Sequence, residues 1–377
     1  MATSLLPERR VAAKPAPLVS LDHTTSVILL AASLAVVVVA YWNTLTRAAL
    51  YWDNPKYSHG YLVPMFTAVL LWMRRELQRP MERLGYIGSG LMGFGLAVGL
   101  LRYALIEWAS LARILDDGMG LIAVAALVSG AALFIGESID FSKVTSSARW
   151  AGVGLVSLGV LIRAAATFFP NVTPEMYSFV PAVAGLFLMV GGWPVFKWSA
   201  PAIGFLIFMF PLPGPLDTGL LRPLQGLATR ASTYCLQTIG ASAYSEGNTI
   251  FVGDVHMGVV EQCSGLRMLT MMVALSVAFT LVTNRPLWER IVIVASSVPI
   301  ALAVNIIRIT VTGIMHMTVG PELANKIFHD LAGWVMMPMA LGFLYLEFQI
   351  LTHLFIEEDL GPMSIGLGGG PKVGIAK

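Results

Sequence analysis

The fold class predicted for this chain is all-α: a polytopic transmembrane helical bundle of about 8–10 spans, with an outer amphipathic segment. Three observations predict it. Of 377 residues, 56% are hydrophobic and only 12% charged, and the mean hydropathy is +0.74, a combination that soluble globular domains do not show. The apolar residues gather into runs near the roughly 20 residues needed to cross a bilayer. Thirty-six glycines suit helices that pack closely in lipid, where small residues let backbones approach.

Taken in order, apolar runs place spans near 25–45, 60–73, 86–105, 118–136, 150–168, 178–193, 198–212, 264–283, 291–312 and 331–352. The sixth and seventh, separated only by Pro194-Val195-Phe196-Lys197, also fit a helical hairpin that does not fully cross. Residues 1–24 are polar and carry Arg9, Arg10 and Lys14 without a small-residue cleavage site, so the first span is expected to be an uncleaved anchor. Gly95 and Gly99 form a weak helix-packing signal within the third span. The organisation is therefore a cytoplasmic tail (1–24), a transmembrane domain (25–355) and a cytoplasmic tail (356–377) that is acidic, then glycine-rich, and expected to be disordered.

Charge sets the orientation. With the N-terminus cytoplasmic, the inside holds Arg9, Arg10, Lys14, Arg74, Arg75, Arg79, Arg83, Lys143, Arg149, Lys197, Arg285, Arg290, Lys372 and Lys377. The outer connections hold only Arg47, Lys56, Arg113, Arg222, Arg230 and Lys326. The longest outer segment runs from Pro213 to Gln262. Within it Leu216, Leu220, Leu224, Leu227 and Ala231 recur at helical spacing, as in an amphipathic helix lying on the membrane. The run from Asn248 to Val255 has strand content bounded by turn residues, and predicts a short hairpin.

This topology puts three chemically capable residues at one face. Cys263 opens the eighth span, Arg308 lies about one turn short of the outer end of the ninth, and His329 precedes the tenth. A cysteine thiol, with an ordinary pKa near 8.5, needs a cation or base beside it to act as a nucleophile. Histidine can accept the thiol proton and return it to a leaving amine, and an arginine can hold an oxyanion. An arginine inside a span is a functional candidate in its own right, because intramembrane charge is costly. Arg102, Arg163 and Arg267 also fall near outer span ends, predicting an electropositive cavity.

Other readings of the same residues exist. Cys235 and Cys263 could form a disulfide in an oxidising compartment. The arginines could serve a transporter or a lipid-handling protein with an anion site, and a structural membrane subunit needs none of this chemistry. A net charge of +2 without a basic patch gives nucleic-acid binding no support. The six histidines lack ligand spacing and no Cys-x-x-Cys occurs, so no metal or other cofactor is expected. No Gly-x-Ser-x-Gly element marks a serine enzyme.

Gln262-Cys263-Ser264-Gly265-Leu266-Arg267, Asn305-Ile306-Ile307-Arg308-Ile309 and Phe328-His329-Asp330-Leu331-Ala332-Gly333 resemble the three signature segments of the exosortase and archaeosortase family. Tyr57 to Pro64 looks like the N-terminal signature of that family. Phe208 to Pro213, followed by Pro223-Leu224-Gln225, looks like its middle segment. The similarity covers roughly 25–355, and Gln262 replaces the family's usual alanine. The resemblance implies a multi-pass cysteine transpeptidase of the bacterial inner membrane, with its site facing the periplasm. It would cleave exported proteins carrying a Pro-Glu-Pro-like sorting motif, a transmembrane helix and a basic cluster, with Cys263, Arg308 and His329 acting together. Substrate contacts are expected from Arg267, which sits one turn from Cys263 and would meet the motif's acidic residue, with Arg163 as alternative, and from Ser264, Asn305 and His59. Membrane lipid is the other expected partner.

Overall fold

A computed structural model describes residues 22–54, 57–74, 83–109, 113–168, 173–253, 255–258, 265–283, 285–319, 338–339 and 341–353. The chain divides into two compact units. One comprises Met1–Ala40, Gln78–Leu161 and Pro181–Ala200, the other Tyr41–Leu77, Ile162–Val180 and Pro201–Lys377. Among the described residues, six helical stretches are long and apolar enough to cross a membrane, and two shorter apolar helices accompany them. The architecture is thus an all-α polytopic membrane protein with one small sheet. Ten crossings exceed what the described residues supply by length and composition. The tails, 1–21 and 354–377, lie outside them.

The first unit contains α1 (His23–Ala40), α4 (Arg83–Ala109), α5 (Arg113–Gly136), most of α6 (Ser146–Ala166) and part of α8 (Phe179–Phe205). Glycine makes its packing possible. A Cβ added at Gly88 would lie 2.6 Å from the Gly130 carbonyl oxygen, one at Gly130 would lie 2.6 Å from that of Gly88, and one at Gly95 would lie 2.8 Å from that of Ala123. Helices α4 and α5 therefore touch backbone to backbone, as expected where dispersion rather than hydrophobicity drives helix association. Gly152 of α6 and Gly185 of α8 do the same: a Cβ on either would stand 2.8 Å from the other's carbonyl oxygen. Of the glycine pair marked in the sequence, Gly95 is in tight contact and Gly99 is not, its Cβ position being 3.9 Å from Ala123.

Two breaks differ from the sequence expectation. The first span does not run to 45. It stops at Ala40, and α2 (Trp42–Trp52) begins after Tyr41, whose φ of −98° and ψ of 10° are not helical. The Tyr41 ring is held by tertiary contacts, its hydroxyl 3.0 Å from Ser178 Oγ and the Arg163 guanidinium 4.5 Å above its face. The second break falls at Gly192 and not in Pro194–Lys197. Gly192 adopts φ +71° inside α8, a conformation that glycine takes without strain. Pro194 then sits in the first turn of the following helix, where its missing N–H costs nothing.

The second unit contains α2, a 3-10 turn (Ser58–Tyr61) leading into α3 (Leu62–Met73), α7 (Thr173–Tyr177), a second 3-10 turn (Leu206–Met209), α9 (Gly214–Thr238), the sheet, α10 (Gly265–Val282), α11 (Leu287–Thr318) and α12 (341–353). Helix α9 is the predicted amphipathic segment. The predicted hairpin is present and gains a third strand: β1 (Ala243–Glu246), β2 (Thr249–Val252) and β3 (Val255–Gly258) form an antiparallel meander in that order. Its inner face, with Ala243, Ile250, Val252 and Met257, packs with Ala228 and Leu236 of α9 against Ile309 of α11. Gly313 permits this, since a Cβ there would lie 2.9 Å from Leu236 and 3.2 Å from Met257.

Candidate functional site

The α10–α11–α12 group sets the axis of the site. One end is tied by Arg285, which follows α10, pairs with Glu289 at 3.6 Å, donates to the Thr352 hydroxyl at 2.9 Å and lies 4.8 Å over the Phe348 ring. Ser296 donates to Glu347 at 2.7 Å, a second tie between α11 and α12. One core then runs towards the other end: Met268, Leu269 and Met272 of α10 meet Ala301 and Val304 of α11, with Leu212, Leu224, Met339 and Phe343 packed around them. Several of these residues belong to or adjoin a motif. Leu212 and Leu224 belong to the middle segment, Met268 follows Arg267, Val304 precedes Asn305, and Met339 lies ten residues beyond His329.

Above that core lies a small cavity lined by Leu224, Leu269, Val298, Ala301, Leu302 and Asn305. Asn305 is only 2% exposed, and among the described residues its Oδ1 finds no hydrogen-bond donor, whereas buried amides are as a rule hydrogen-bonded. Arg308 follows one turn later on the same face of α11, half-buried, with its carbonyl taking the Thr312 hydroxyl at 2.8 Å. Arg267 is on the first turn of α10. Cys263, Ser264 and His329 lie outside the described residues.

The other expected contact residues have their own partners. His59, in the turn that precedes α3, is half-buried. Burial pushes its imidazole below the usual range, and a hydrogen bond with the Phe208 backbone opposes that shift. Trp52 donates to the Met209 carbonyl at 2.7 Å, so the N-terminal and middle segments are packed together. Gly60 is needed for this: a Cβ there would lie 2.2 Å from Trp52 Cδ1. Gly60→Ala is expected to lower stability by about 1–3 kcal/mol, read as a drop in thermal midpoint in detergent; an unchanged midpoint would show that Trp52 moves freely.

Arg163 has a carboxylate neighbour. Its Nε lies 3.8 Å from Glu175 Oε1, and Glu175 also faces Arg47 at 3.6 Å and accepts the Thr44 hydroxyl at 2.6 Å. Arg102 is likewise paired, with Asp116 at 2.6 Å. Of the arginines expected to line an electropositive cavity, Arg102 thus faces one carboxylate of its own, while Arg163 and Arg47 share Glu175. Glu175 was not among the residues that sequence reasoning selected. Its only local signal is that it stands alone as an acidic residue in the connection after Arg163. Cys235, half-buried on α9, is a free thiol.

Residues 51–139 and 117–346 match the family described as transmembrane exosortase. No curated relative and no solved structure matches the chain.

Proposed function

The chain belongs to the transmembrane exosortase family, and on that premise we propose that it is a membrane cysteine transpeptidase cleaving C-terminal sorting signals of exported proteins at the outer face of the cytoplasmic membrane. One observation carries the reading: residues on both sides of Cys263 bracket Arg308. Met257, at the end of β3, approaches α11 at Gly313, and Leu269, at the start of α10, shares a cavity with Asn305. The six residues 259–264 must join these two levels, and Arg308 stands between 305 and 313.

In the proposed chemistry the Cys263 thiolate attacks the scissile carbonyl, forming the C–S bond as the carbonyl electrons move to oxygen. The Arg308 fork binds that oxyanion. His329 takes the thiol proton and delivers it to the departing amine, which leaves a thioester. Water or an amine then attacks the thioester and regenerates the thiol. Arg267, four residues after Cys263 in the sequence, is the proposed receptor for an acidic motif residue, since a bidentate arginine best offsets the cost of a poorly solvated carboxylate.

The test is coproduction with an exported reporter that ends in Pro-Glu-Pro, a hydrophobic helix and basic residues, with processing followed by size. Release of the reporter's tail is expected; an uncut reporter across a panel of such motifs would reject the reading. Topology provides an independent check. Reporter fusions after Ser58 and Gly320 should read external, and those after Arg79 and Pro286 cytoplasmic. A cytoplasmic signal at Gly320 would separate His329 from Cys263.

A further inference from the structure

Among the described residues, the small sheet has one edge against α9 and one without a neighbouring strand. At β1, the Gln237 side-chain amide donates to the Ala243 carbonyl at 2.7 Å, which closes that side against α9. At β3, no strand pairs with the outer side among the described residues, and on the outer face a Cβ placed on Gly258 would meet nothing within 4 Å. Which backbone groups face out follows from the turn. Strands β2 and β3 are joined by Gly253 and Asp254 alone, with Val252 opposite Val255. In a two-residue hairpin the flanking pair exchanges both hydrogen bonds, and so does the pair two residues on, here Ile250 with Met257. The N–H and C=O of His256 and Gly258 therefore point away from β2, towards the open edge.

The faces of the sheet differ as sharply as its edges. Met257 and Ile250 are buried on the inside, which holds the sheet rigidly on α9 and α11. On the outside, Tyr244, Phe251 and His256 form a cross-strand row: Tyr244 and Phe251 stack at 4.8 Å and 5°, and His256 meets Phe251 edge-on at 4.8 Å. Unpaired strand edges invite another strand. An extended peptide added there makes main-chain hydrogen bonds, while its alternate side chains rest on the exposed face. Gly258 is five residues before Cys263, a reach of at most about 17 Å. A peptide paired with β3 is thus within a few of its own residues of the thiol.

We propose that the open edge of β3 is the substrate-docking strand: the extended segment flanking the scissile bond of the exported chain pairs with His256 and Gly258 and lays alternate side chains across the Tyr244–Phe251–His256 row. The proposal rests on the reading of Cys263 as the nucleophile. The occupant is an extended peptide because the reaction itself presents one, and because what the edge offers is backbone donors and acceptors.

The full-length enzyme in detergent is tested with a synthetic peptide carrying Pro-Glu-Pro ahead of a hydrophobic segment. Backbone N-methylation at successive non-proline positions should cut cleavage by roughly tenfold at every second position and little at the positions between. In a Cys263→Ala, Cys235→Ala background, His256→Cys should form disulfides with cysteines at alternate positions of the same peptide. His256→Pro, which removes an edge N–H but no ladder bond, should raise KM about tenfold, whereas His256→Ala should do much less. Uniform N-methyl effects with active enzyme, or crosslinks absent or without alternation, would overturn the proposal. Crosslinks between two copies of the chain at position 256 would assign the edge to self-association instead. Alternating crosslinks with no cleavage by the wild-type enzyme would keep the docking edge and reject Cys263 as nucleophile.

Discussion

Replacing Cys263 by alanine is expected to abolish processing, by on the order of 10⁴-fold or more, because no other group in the proposed site can form the acyl intermediate. The protein should still fold, since the cores formed by the sheet with α9 and α11 and by α10 with α11 are built from other residues. The paired variant is Cys235→Ala. Cys235 is a free, half-buried thiol on α9, and removing one small sulfur from such a place should leave activity within about twofold and stability within about 1 kcal/mol. Activity is measured as reporter cleavage, and folding as monodispersity and thermal midpoint in detergent. Equal loss in both variants would point to a disulfide between the two cysteines, because a bridge needs both partners.

Arg308→Lys is expected to remain severely impaired, with kcat reduced about 10²- to 10³-fold, the loss that follows removal of one oxyanion donor. Lysine retains the charge and nearly the same helix propensity, so α11 should persist, anchored by Ala301, Val304 and Ile309 in two separate cores. What lysine lacks is the planar fork that presents several donors in one fixed geometry. Full activity in Arg308→Lys would show that only a positive charge is required, and would move the oxyanion role elsewhere. Asn305 offers a graded comparison, since its buried Oδ1 is aligned one turn away on the same helix face.

How much of this was legible follows from the range of each interaction. The apolar helices, α9 and the hairpin are written in local patterns of apolar and turn residues, whereas the stop at Ala40 and the break at Gly192 are not. The helix break at Tyr41 is not local: nothing in Val38–Trp42 forbids a continuous helix, and the Tyr41 ring is held by Ser178 and Arg163, far along the chain. Glu175 escaped notice for the same reason. A single carboxylate in a short connection carries no periodic signal, and its role exists only because Thr44, Arg47 and Arg163 arrive beside it.

By itself the sequence determined the class of the protein, the order of its spans, and the residue types available for chemistry, because hydropathy and side-chain identity are properties of single stretches. Only the tertiary structure decided which arginines already have carboxylate partners, which glycines carry helix contacts, and which edge of the sheet is open. Those depend on what lies opposite, and pairing energies in a low-dielectric interior are set by distances between elements that no local pattern encodes. Arg163 and Arg308 read alike in sequence, each one charge near the end of an apolar run. The first lies 3.8 Å from Glu175. The second stands one turn beyond Asn305 and well inside α11, between the positions where Leu269 and Met257 approach that helix.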